Sequence, residues 1–399
     1  MKKKKQTCSI GKLPAKPSIL RRSGSGGSKK QVIQAITLLF ILNRVHMIKS
    51  KMKAAILVEL NKPLIVDEVI LPNELMVGQV LVKVYFSGIC GSQIGEINGV
   101  KGEDKYLPHL LGHEGAGIVL DVGLGVRNVR IGDKVVLHWQ KGIGIESNPP
   151  AYQWGEKNVN AGWITTFNEF AVVSENRITK IPDDSDLRVA ALFGCAVTTG
   201  FGVIENNAKV RIGESVVVYG AGGVGLNIIQ AASLVSAYPI IAVDLYKDKL
   251  ELAQQMGATH LIDAGALEQI PDQIYQIAGK NGVDVFIDNT GLPNIIEMGY
   301  SVTKSNGRVV LVGVPKKGND IKIYSLPMHF GKTITGSQGG EARPSDDIPR
   351  YHKFLMSDKF RLEKMISKMY SLDNINYAID DMRKGVLAGR CLIDMSDEI

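Results

Sequence analysis

The stretch VVVYGAGGVG, residues 216–225, decides the fold of this chain. A β-branched apolar run leads directly into glycines in the spacing G-x-G-x-x-G, and residues 226–234 then repeat apolar side chains at helical spacing. Glycines between a strand and a helix make a tight turn and let a pyrophosphate approach the N-terminus of the helix. The stretch therefore predicts a dinucleotide-binding turn, and its candidate cofactor-binding residues are Gly220, Gly222, Gly223, Val224 and Gly225.

A carboxylate follows this turn at the end of the next apolar run. Residues 240–243 lead into Asp244, which stands 19 residues beyond Gly225. A carboxylate at that strand end accepts hydrogen bonds from the adenosine ribose hydroxyls and repels a 2′-phosphate. The sequence thus favours NAD over NADP. The alternative is that the glycines only turn the chain in an α/β domain that binds something else.

The rhythm around the glycine turn predicts two kinds of domain. Apolar runs alternate with helical spacing through the second half of the chain, which is typical of βαβ units in a doubly wound parallel sheet. Residues 53–173 instead show short β-branched runs separated by Gly and Pro, which favours a barrel-like β domain. The runs of the second half are residues 215–219, 240–243, 283–287 and 308–312, with helical spacing at 226–234 and 247–256.

The C-terminal sixty residues leave this rhythm. A helical pattern at 347–356 and a closing strand at 390–393 predict a return to the first domain. We therefore expect a β-barrel domain that is split around the parallel-sheet domain. The expected boundaries are 52–196 with 340–399 for the first domain and 197–339 for the second, after an extension at 1–51.

Charge is distributed unevenly along the chain. Of the 47 Lys and Arg residues, 14 fall within residues 1–53, which contain no acidic residue, so 33 basic residues face 40 acidic ones in the rest. A body with excess negative charge has no nucleic-acid footprint. The basic extension is interpreted as a mis-assigned start or disordered tail, with an organelle transit peptide and a positively charged anchor as alternatives.

Cysteine usage and hydropathy bear on the compartment. The chain has 4 cysteines, too few for a secreted disulfide framework, and a reducing compartment fits them. The apolar run at residues 32–42 is about half the length of a bilayer span. We expect a cytoplasmic protein that does not bind a membrane.

Three separated motifs supply the ligand types that zinc prefers. They are GICGS at residues 88–92, GHE at 112–114 and FGC at 193–195. Catalytic zinc takes three protein ligands and leaves the fourth position to water or substrate. Each Cys or His alone is more often structural, but Cys90, His113 and Cys195 together form a candidate catalytic zinc site.

With these motifs, residues 52–395 resemble the zinc-dependent medium-chain alcohol and polyol dehydrogenases. The motifs GDKV at 132–135 and GCAVTTG at 194–200 belong to the same resemblance. It implies a GroES-like catalytic domain split around a Rossmann domain, catalytic zinc on the Cys/His/Cys set, and NAD. Homodimers and homotetramers are both common among such proteins.

The resemblance also assigns roles to further residues. Glu114 matches a carboxylate that approaches the metal transiently, and Ser92 matches the hydroxyl that passes the substrate proton toward solvent, although it could simply bond its own turn. Arg390 matches an arginine that meets the pyrophosphate, unless it is a solvated surface charge. The other cofactor residues that it implies are Asp244 and Lys249 at the adenosine ribose, Thr199 near the nicotinamide and Val312 at the carboxamide.

Three positions depart from the family pattern. No cysteine lies between Cys90 and Cys195, so we expect no structural zinc. The segment 141–163 must then be held by packing, through Trp139, Tyr152, Trp154 and Trp163. Gln93 stands where an Asp often supports the zinc-ligating histidine, and we expect its amide oxygen to accept that bond. Gly95 removes a proton-relay histidine.

These observations predict an oxidoreductase that moves a hydride between an alcohol and NAD with the help of zinc. The alcohol is primary or secondary, and a sugar or cyclitol hydroxyl is one option. Two alternatives stay open: a zinc-free, NADPH-dependent enone or quinone reductase, and a non-catalytic dinucleotide-binding protein.

Overall fold

The computed structural model describes residues 50–356 and 360–396 of the chain. The predictions for the basic extension therefore lie outside the described residues, apart from its last two positions. The strands are β1 (Lys51–Leu57), β2 (Ile65–Ile70), β3 (Gln79–Gly88), β4 (His109–Leu110), β5 (Glu114–Val122), β6 (Lys134–His138), β7 (Ala151–Trp154), β8 (Lys157–Asn160), β9 (Phe170–Ser174), β10 (Ile178–Lys180), β11 (Val216–Tyr219), β12 (Ile240–Asp244), β13 (His260–Asp263), β14 (Val283–Asp288), β15 (Thr303–Leu311), β16 (Thr333–Gly336), β17 (Ile366–Ser371) and β18 (Arg390–Asp394).

Helices cover the sheets and carry two of the site motifs. The α-helices are α1 (Gly91–Ile97), α2 (Leu187–Ala191), α3 (Ala196–Gly202), α4 (Gly223–Leu234), α5 (Lys247–Gln255), α6 (Ile270–Ala278), α7 (Pro293–Val302), α8 (Leu326–His329), α9 (Pro344–His352) and α10 (Ile375–Arg383). A π-helical turn, Val203–Ala208, continues α3. Short 3₁₀ turns are Glu175–Arg177, Leu192–Gly194, Leu267–Gln269, Gly339–Glu341, Lys353–Met356, Leu362–Met365 and Leu372–Asn374.

The second half of the chain forms a parallel sheet. Its 6 strands run in the order β13-β12-β11-β14-β15-β16. The central strand β11 is apolar and buried at every residue, and Val216, for example, has Ile240 and Val285 as its partners on the two neighbouring strands. This strand order reverses direction at β11, and ligands of open α/β sheets bind in the crevice at such a point. The glycine turn follows β11 there, as predicted.

The first half of the chain, together with the C-terminal strands β17 and β18, forms a closed barrel and a second sheet. Strands β1-β2-β7-β8-β4 close the barrel, and the sheet has the order β10-β6-β5-β3-β18-β17, with β9 on β3. The C-terminal strand β18 pairs antiparallel with β3, where Leu392 opposes Gly88. The C-terminal strand β18 therefore lies beside β3, the strand that ends just before Cys90. The predicted fold class, a β-barrel domain split around a doubly wound sheet, is confirmed; the residue boundaries of the domains stay predictions.

Two local expectations need correction. The predicted helix at 347–356 is α9, which begins earlier because Pro344 stands at its first position, where a proline is tolerated. Trp163 was expected to pack the segment 141–163, but its exposed fraction is 46%. Tyr152 is fully buried, and its hydroxyl accepts the backbone N–H of Val172. The β7–β8 hairpin therefore packs through Tyr152, whereas the half-exposed ring of Trp163 packs on the guanidinium of buried Arg177, at 5.7 Å.

Within residues 50–356 and 360–396, no single helix has both the length and the apolar character of a membrane span. One bent pair, Leu187–Gly194 with Ala196–Ala208, meets these two criteria by length and composition only.

Candidate active site

The Cys/His/Cys set comes together from three separate elements. Cys90 caps the N-terminus of α1 directly after β3, His113 precedes β5, and Cys195 caps the N-terminus of α3. Their ligand atoms all lie within 4.8 Å of one another. Both cysteines are buried, with exposed fractions of 8% for Cys90 and 6% for Cys195. The structure thus brings the three predicted zinc ligands into one place.

The polar chemistry of this set fits a zinc ion. A hydrogen bond from Cys195 lowers the pKa of the Cys90 thiol well below its ordinary value, and the same bond raises the pKa of Cys195. Within the described part of the chain, His113 Nε2 is buried and has no hydrogen-bond partner. Thiolate and imidazole are zinc's preferred ligands, and an orphaned buried nitrogen is costly unless something binds it.

A buried ion pair lies beside the ligand set. Arg390 Nη2 donates to Glu114 Oε2 at 2.8 Å, and Arg390 Nε donates to Glu114 Oε1 at 3.3 Å. The side chains have exposed fractions of 3% for Arg390 and 0% for Glu114. Burial raises the pKa of Glu114 to about 6, although the charge of Arg390 opposes this shift. Arg390 is therefore not a solvated surface charge.

Arg390 also reaches the cofactor turn. A Cβ placed on Gly223 would lie 2.9 Å from Arg390 Nη1, so the guanidinium packs directly on the glycine backbone. One side chain thus joins the metal-ligand region to the first turn of α4. The predicted contact of Arg390 with a pyrophosphate is compatible with this location and stays a prediction.

The pairing of Arg390 with Glu114 was missed from the sequence. Nothing in either motif indicates it, because the residues stand 276 positions apart. The available signal was topological: each charge is the first residue of its strand, and β5 and β18 both pair with β3.

Helix α1 carries the three other positions singled out from the sequence. Ser92 is exposed in the first turn of the helix, and Gly95 lies one turn further on. Gln93 does not support the histidine as expected. Its Oε1 accepts the backbone N–H of Gly112 at 2.6 Å, and its Nε2 donates to Glu96 at 3.3 Å. The amide therefore fixes the backbone just before His113 rather than the imidazole itself.

The glycine turn is built by close backbone packing. Gly220 has a φ of 93°, which favours glycine, and a Cβ on Gly225 would lie 2.0 Å from the carbonyl oxygen of Gly220. Asp244 ties the turn to β12: its Oδ2 accepts the backbone N–H of Ala221 at 2.7 Å, and its Oδ1 accepts that of Tyr246 at 3.1 Å. Asp244 therefore organises the turn besides its predicted role at the ribose.

The remaining cofactor candidates surround this crevice. Lys249 Nζ lies 4.4 Å from the ring centroid of Tyr246, next to Asp244. Thr199 is buried in α3, and its backbone N–H donates to Cys195, one turn from a ligand. Val312 follows β15, and its N–H donates to the Asp288 carbonyl at 2.8 Å. Their individual contacts with a cofactor stay predictions.

Comparison with protein families matches both halves of the chain. Residues 77–183 match the alcohol dehydrogenase GroES-like domain, and residues 223–357 match the zinc-binding dehydrogenase family. S-(hydroxymethyl)glutathione dehydrogenase of Paracoccus denitrificans is 30% identical over 84% of this chain and 97% of its own length. Alcohol dehydrogenase 6 of Peromyscus maniculatus is 32% identical over 86% of this chain and 97% of its own length.

Solved structures agree with these matches. The crystal structure of benzyl alcohol dehydrogenase from Acinetobacter calcoaceticus superposes with a TM-score of 0.78 at 28% identity, over 86% of this chain and 99% of that chain. The family models, the full-length relatives and the shared fold point the same way. The chain belongs to the zinc-dependent medium-chain alcohol dehydrogenase family.

Proposed function

We propose that this protein interconverts a primary or secondary alcohol with its aldehyde or ketone, using NAD and one catalytic zinc ion. The observation that carries the proposal is the meeting of Cys90, His113 and Cys195 within 4.8 Å, beside a glycine turn that Arg390 contacts. A zinc-free reductase would have no use for two buried cysteines and an unpaired histidine nitrogen.

The bound groups supply the chemistry: zinc is a Lewis acid for the substrate oxygen, and NAD is the hydride acceptor. The chain's own residues hold and orient them. Cys90, His113 and Cys195 would hold the metal. The Asp244 carboxylate accepts the ribose hydroxyls and repels a 2′-phosphate. The Ser92 hydroxyl, exposed on α1, takes the alcohol proton and passes it toward solvent.

The zinc content that we propose is one ion per chain. Relatives with a structural zinc bind it through four closely spaced cysteines, and no cysteine lies between Cys90 and Cys195 here. Of the described residues, the free cysteines are Cys90, Cys195 and Cys391. Cys90 and Cys195 belong to the catalytic set, and Cys391 is buried in β18. None of the three is therefore left for another zinc ion.

We also propose that the protein forms a homodimer through the edge of its parallel sheet. Strand β16 ends the sheet order and is mostly exposed. An exposed edge with apolar side chains is a pairing surface. Exposed apolar side chains within the ten residues before it are Tyr324 at 69%, Leu326 at 50%, Met328 at 40% and Phe330 at 68%.

Metal analysis combined with turnover tests the proposed reaction. We would measure zinc per chain and NADH formation with benzyl alcohol, S-(hydroxymethyl)glutathione, simple alcohols and polyols on one preparation. We expect about one zinc per chain and metal-dependent NADH formation with part of this panel. Cys90→Ala should abolish turnover and leave NADH binding nearly intact.

Three results would contradict the proposal. Activity without zinc would place the protein with the zinc-free reductases. Bound zinc and NADH without turnover on any alcohol would favour a dinucleotide-binding protein. A wild-type monomer in light scattering, or a dimer that Phe330→Asp leaves intact, would exclude the proposed dimer face.

A further inference from the structure

A buried carboxylate holds two loops of the catalytic domain together. Glu175 has an exposed fraction of 2%. Its Oε1 accepts the backbone N–H groups of Arg127 at 2.6 Å and Asn128 at 2.8 Å, and its Oε2 accepts that of Ile145 at 2.9 Å. One carboxylate thus ties two separate loops together, which is the structural task of a metal ion.

The loops are shaped to admit this carboxylate. Gly144 has a φ of 125°, and a Cβ there would lie 2.7 Å from Glu175 Cγ. The backbone N–H of Glu175 in turn donates to the Gly78 carbonyl at 2.8 Å. Burial opposes ionisation, but the bonds from the three backbone N–H groups outweigh it and lower the pKa of Glu175. A carboxylate that accepts several backbone N–H groups is held as an anion.

The segment that Glu175 holds, residues 139–145, bonds to the part of the chain that follows the parallel sheet. Within residues 139–145, Gln140 Nε2 donates to the Gln338 carbonyl at 2.7 Å, and the Ile143 N–H donates to Ser345 Oγ at 2.8 Å. Both acceptors lie in the segment 338–345, which follows the parallel sheet and includes the first two residues of α9. The segment 139–145 therefore connects the sheet that contains β6 to the chain that follows the parallel sheet.

The segment 338–345 packs against Trp139 and against α3, the helix that begins after Cys195. A Cβ on Gly339 would lie 2.4 Å from Trp139 Cζ2, and one on Gly340 would lie 2.5 Å from the Thr199 carbonyl oxygen. Thr199 stands in the first turn after Cys195. A shift of the segment 139–145 would therefore move the indole of Trp139 together with the segment 338–345, which packs on α3.

We propose that Glu175 is a positioning residue, which holds the segment 139–145 against the segment 338–345 and so fixes the position of that segment on α3, beside the site where the hydride is transferred. This inference rests on the proposed function. It predicts that loss of the carboxylate slows the chemical step while the metal set and the glycine turn, to which Glu175 makes no contact, keep their ligands.

Glu175→Gln is the sharpest test. Its amide has the same shape but turns an N–H₂ group toward a backbone N–H, on whichever side it faces. We expect zinc content and the NADH dissociation constant to match those of wild type, kcat to fall about tenfold, and the deuterium isotope effect on kcat to rise as hydride transfer becomes limiting. Glu156→Gln, on the exposed β7–β8 turn, is the matched control.

A second variant keeps the inference testable if Glu175→Gln folds poorly. Gln140→Ala leaves Glu175 in place and removes the bond to Gln338. It should reproduce the loss in kcat, and the double variant should be no slower than either single one, because both act through the segment 139–145. Wild-type turnover with an unchanged kcat and isotope effect in both variants would overturn the inference. Absence of turnover in wild type would instead overturn the proposed function.

Discussion

Arg390 donates two hydrogen bonds to Glu114, with Nη2 at 2.8 Å from Oε2 and Nε at 3.3 Å from Oε1. Both residues are buried where β5 and β18 flank β3. The guanidinium also packs on Gly223 in the first turn of α4. The pair therefore links the metal-ligand motif to the cofactor turn. Loss of either charge should change the packing at both places.

Removal of the arginine leaves a buried carboxylate without its counter-charge. We expect Arg390→Met to lower the free energy of unfolding by about 3 kcal/mol, because breaking a buried pair costs more than replacing it. The double variant Glu114→Leu/Arg390→Met should recover much of that loss. Urea unfolding measures both. Lys51→Met, which breaks the exposed pair with Glu68, is the control and should change little. A double variant less stable than Arg390→Met alone would contradict the buried-pair account.

Two glycines of the turn should respond differently to alanine. A Cβ on Gly225 would lie 2.0 Å from the Gly220 oxygen, whereas one on Gly222 meets nothing within 4 Å. Gly222→Ala should thus keep the melting temperature and weaken NADH binding by about tenfold, because the added methyl group blocks the approach of the pyrophosphate. Gly225→Ala should lower the melting temperature as well.

Fluorescence titration with NADH and thermal unfolding separate these two effects. Glu156→Ala, on the exposed β7–β8 turn, is the control and should change neither the melting temperature nor NADH binding. If Gly222→Ala binds NADH as tightly as wild type, the pyrophosphate does not approach the turn at that glycine.

The sequence was sufficient where a local pattern corresponds to a local structure. Parallel strands buried on both faces appear as unbroken β-branched runs, and the observed β11 and β12 lie where those runs predicted them. The metal ligands could also be predicted from the sequence, because Cys90, His113 and Cys195 are distinctive residues in glycine-containing motifs.

What the sequence did not predict depends on contacts between distant segments. The bonds of Gln93 to Gly112 and of Glu175 to Ile145 join loops whose relative positions only the folded chain determines. An isolated Gln or Glu in a sequence reads as a solvated side chain, since buried polar groups are the exception. Their functions follow from which backbone N–H groups they meet.

The carboxylate of Asp244 has two tasks, and one substitution that removes both can be followed by two different measurements. It accepts backbone N–H groups of Ala221 and Tyr246, and it is expected to repel the 2′-phosphate of NADP. Asp244→Ser should lower the ratio of kcat/KM for NAD to that for NADP by about tenfold. Because the bond to Ala221 is also lost, binding of NADH should weaken. An unchanged ratio in steady-state kinetics would remove Asp244 from cofactor selection.

His138 should make stability depend on pH. The side chain is fully buried. Its Nδ1–H donates to the Gln140 carbonyl at 2.8 Å, and its Nε2 accepts from the Thr179 hydroxyl at 2.9 Å. This pattern of one donor and one acceptor is that of a neutral imidazole ring. Burial, reinforced by the charge of Arg177, lowers the pKa of His138 from 6.5 to about 4. The unfolded chain therefore binds a proton between these two values that the folded chain does not.

The sign of the effect follows from that difference in bound protons. The stabilising contribution of neutral His138 is complete above the ordinary pKa of 6.5 and is lost as the pH falls toward about 4, where it has cost about 3 kcal/mol. His138→Gln retains a donor and an acceptor but does not titrate. Its free energy of unfolding, measured in urea at about pH 7 and about pH 5, should fall less than that of wild type. Carboxylates and metal ligands elsewhere titrate in both proteins, so equal losses would show that His138 is protonated in the folded state.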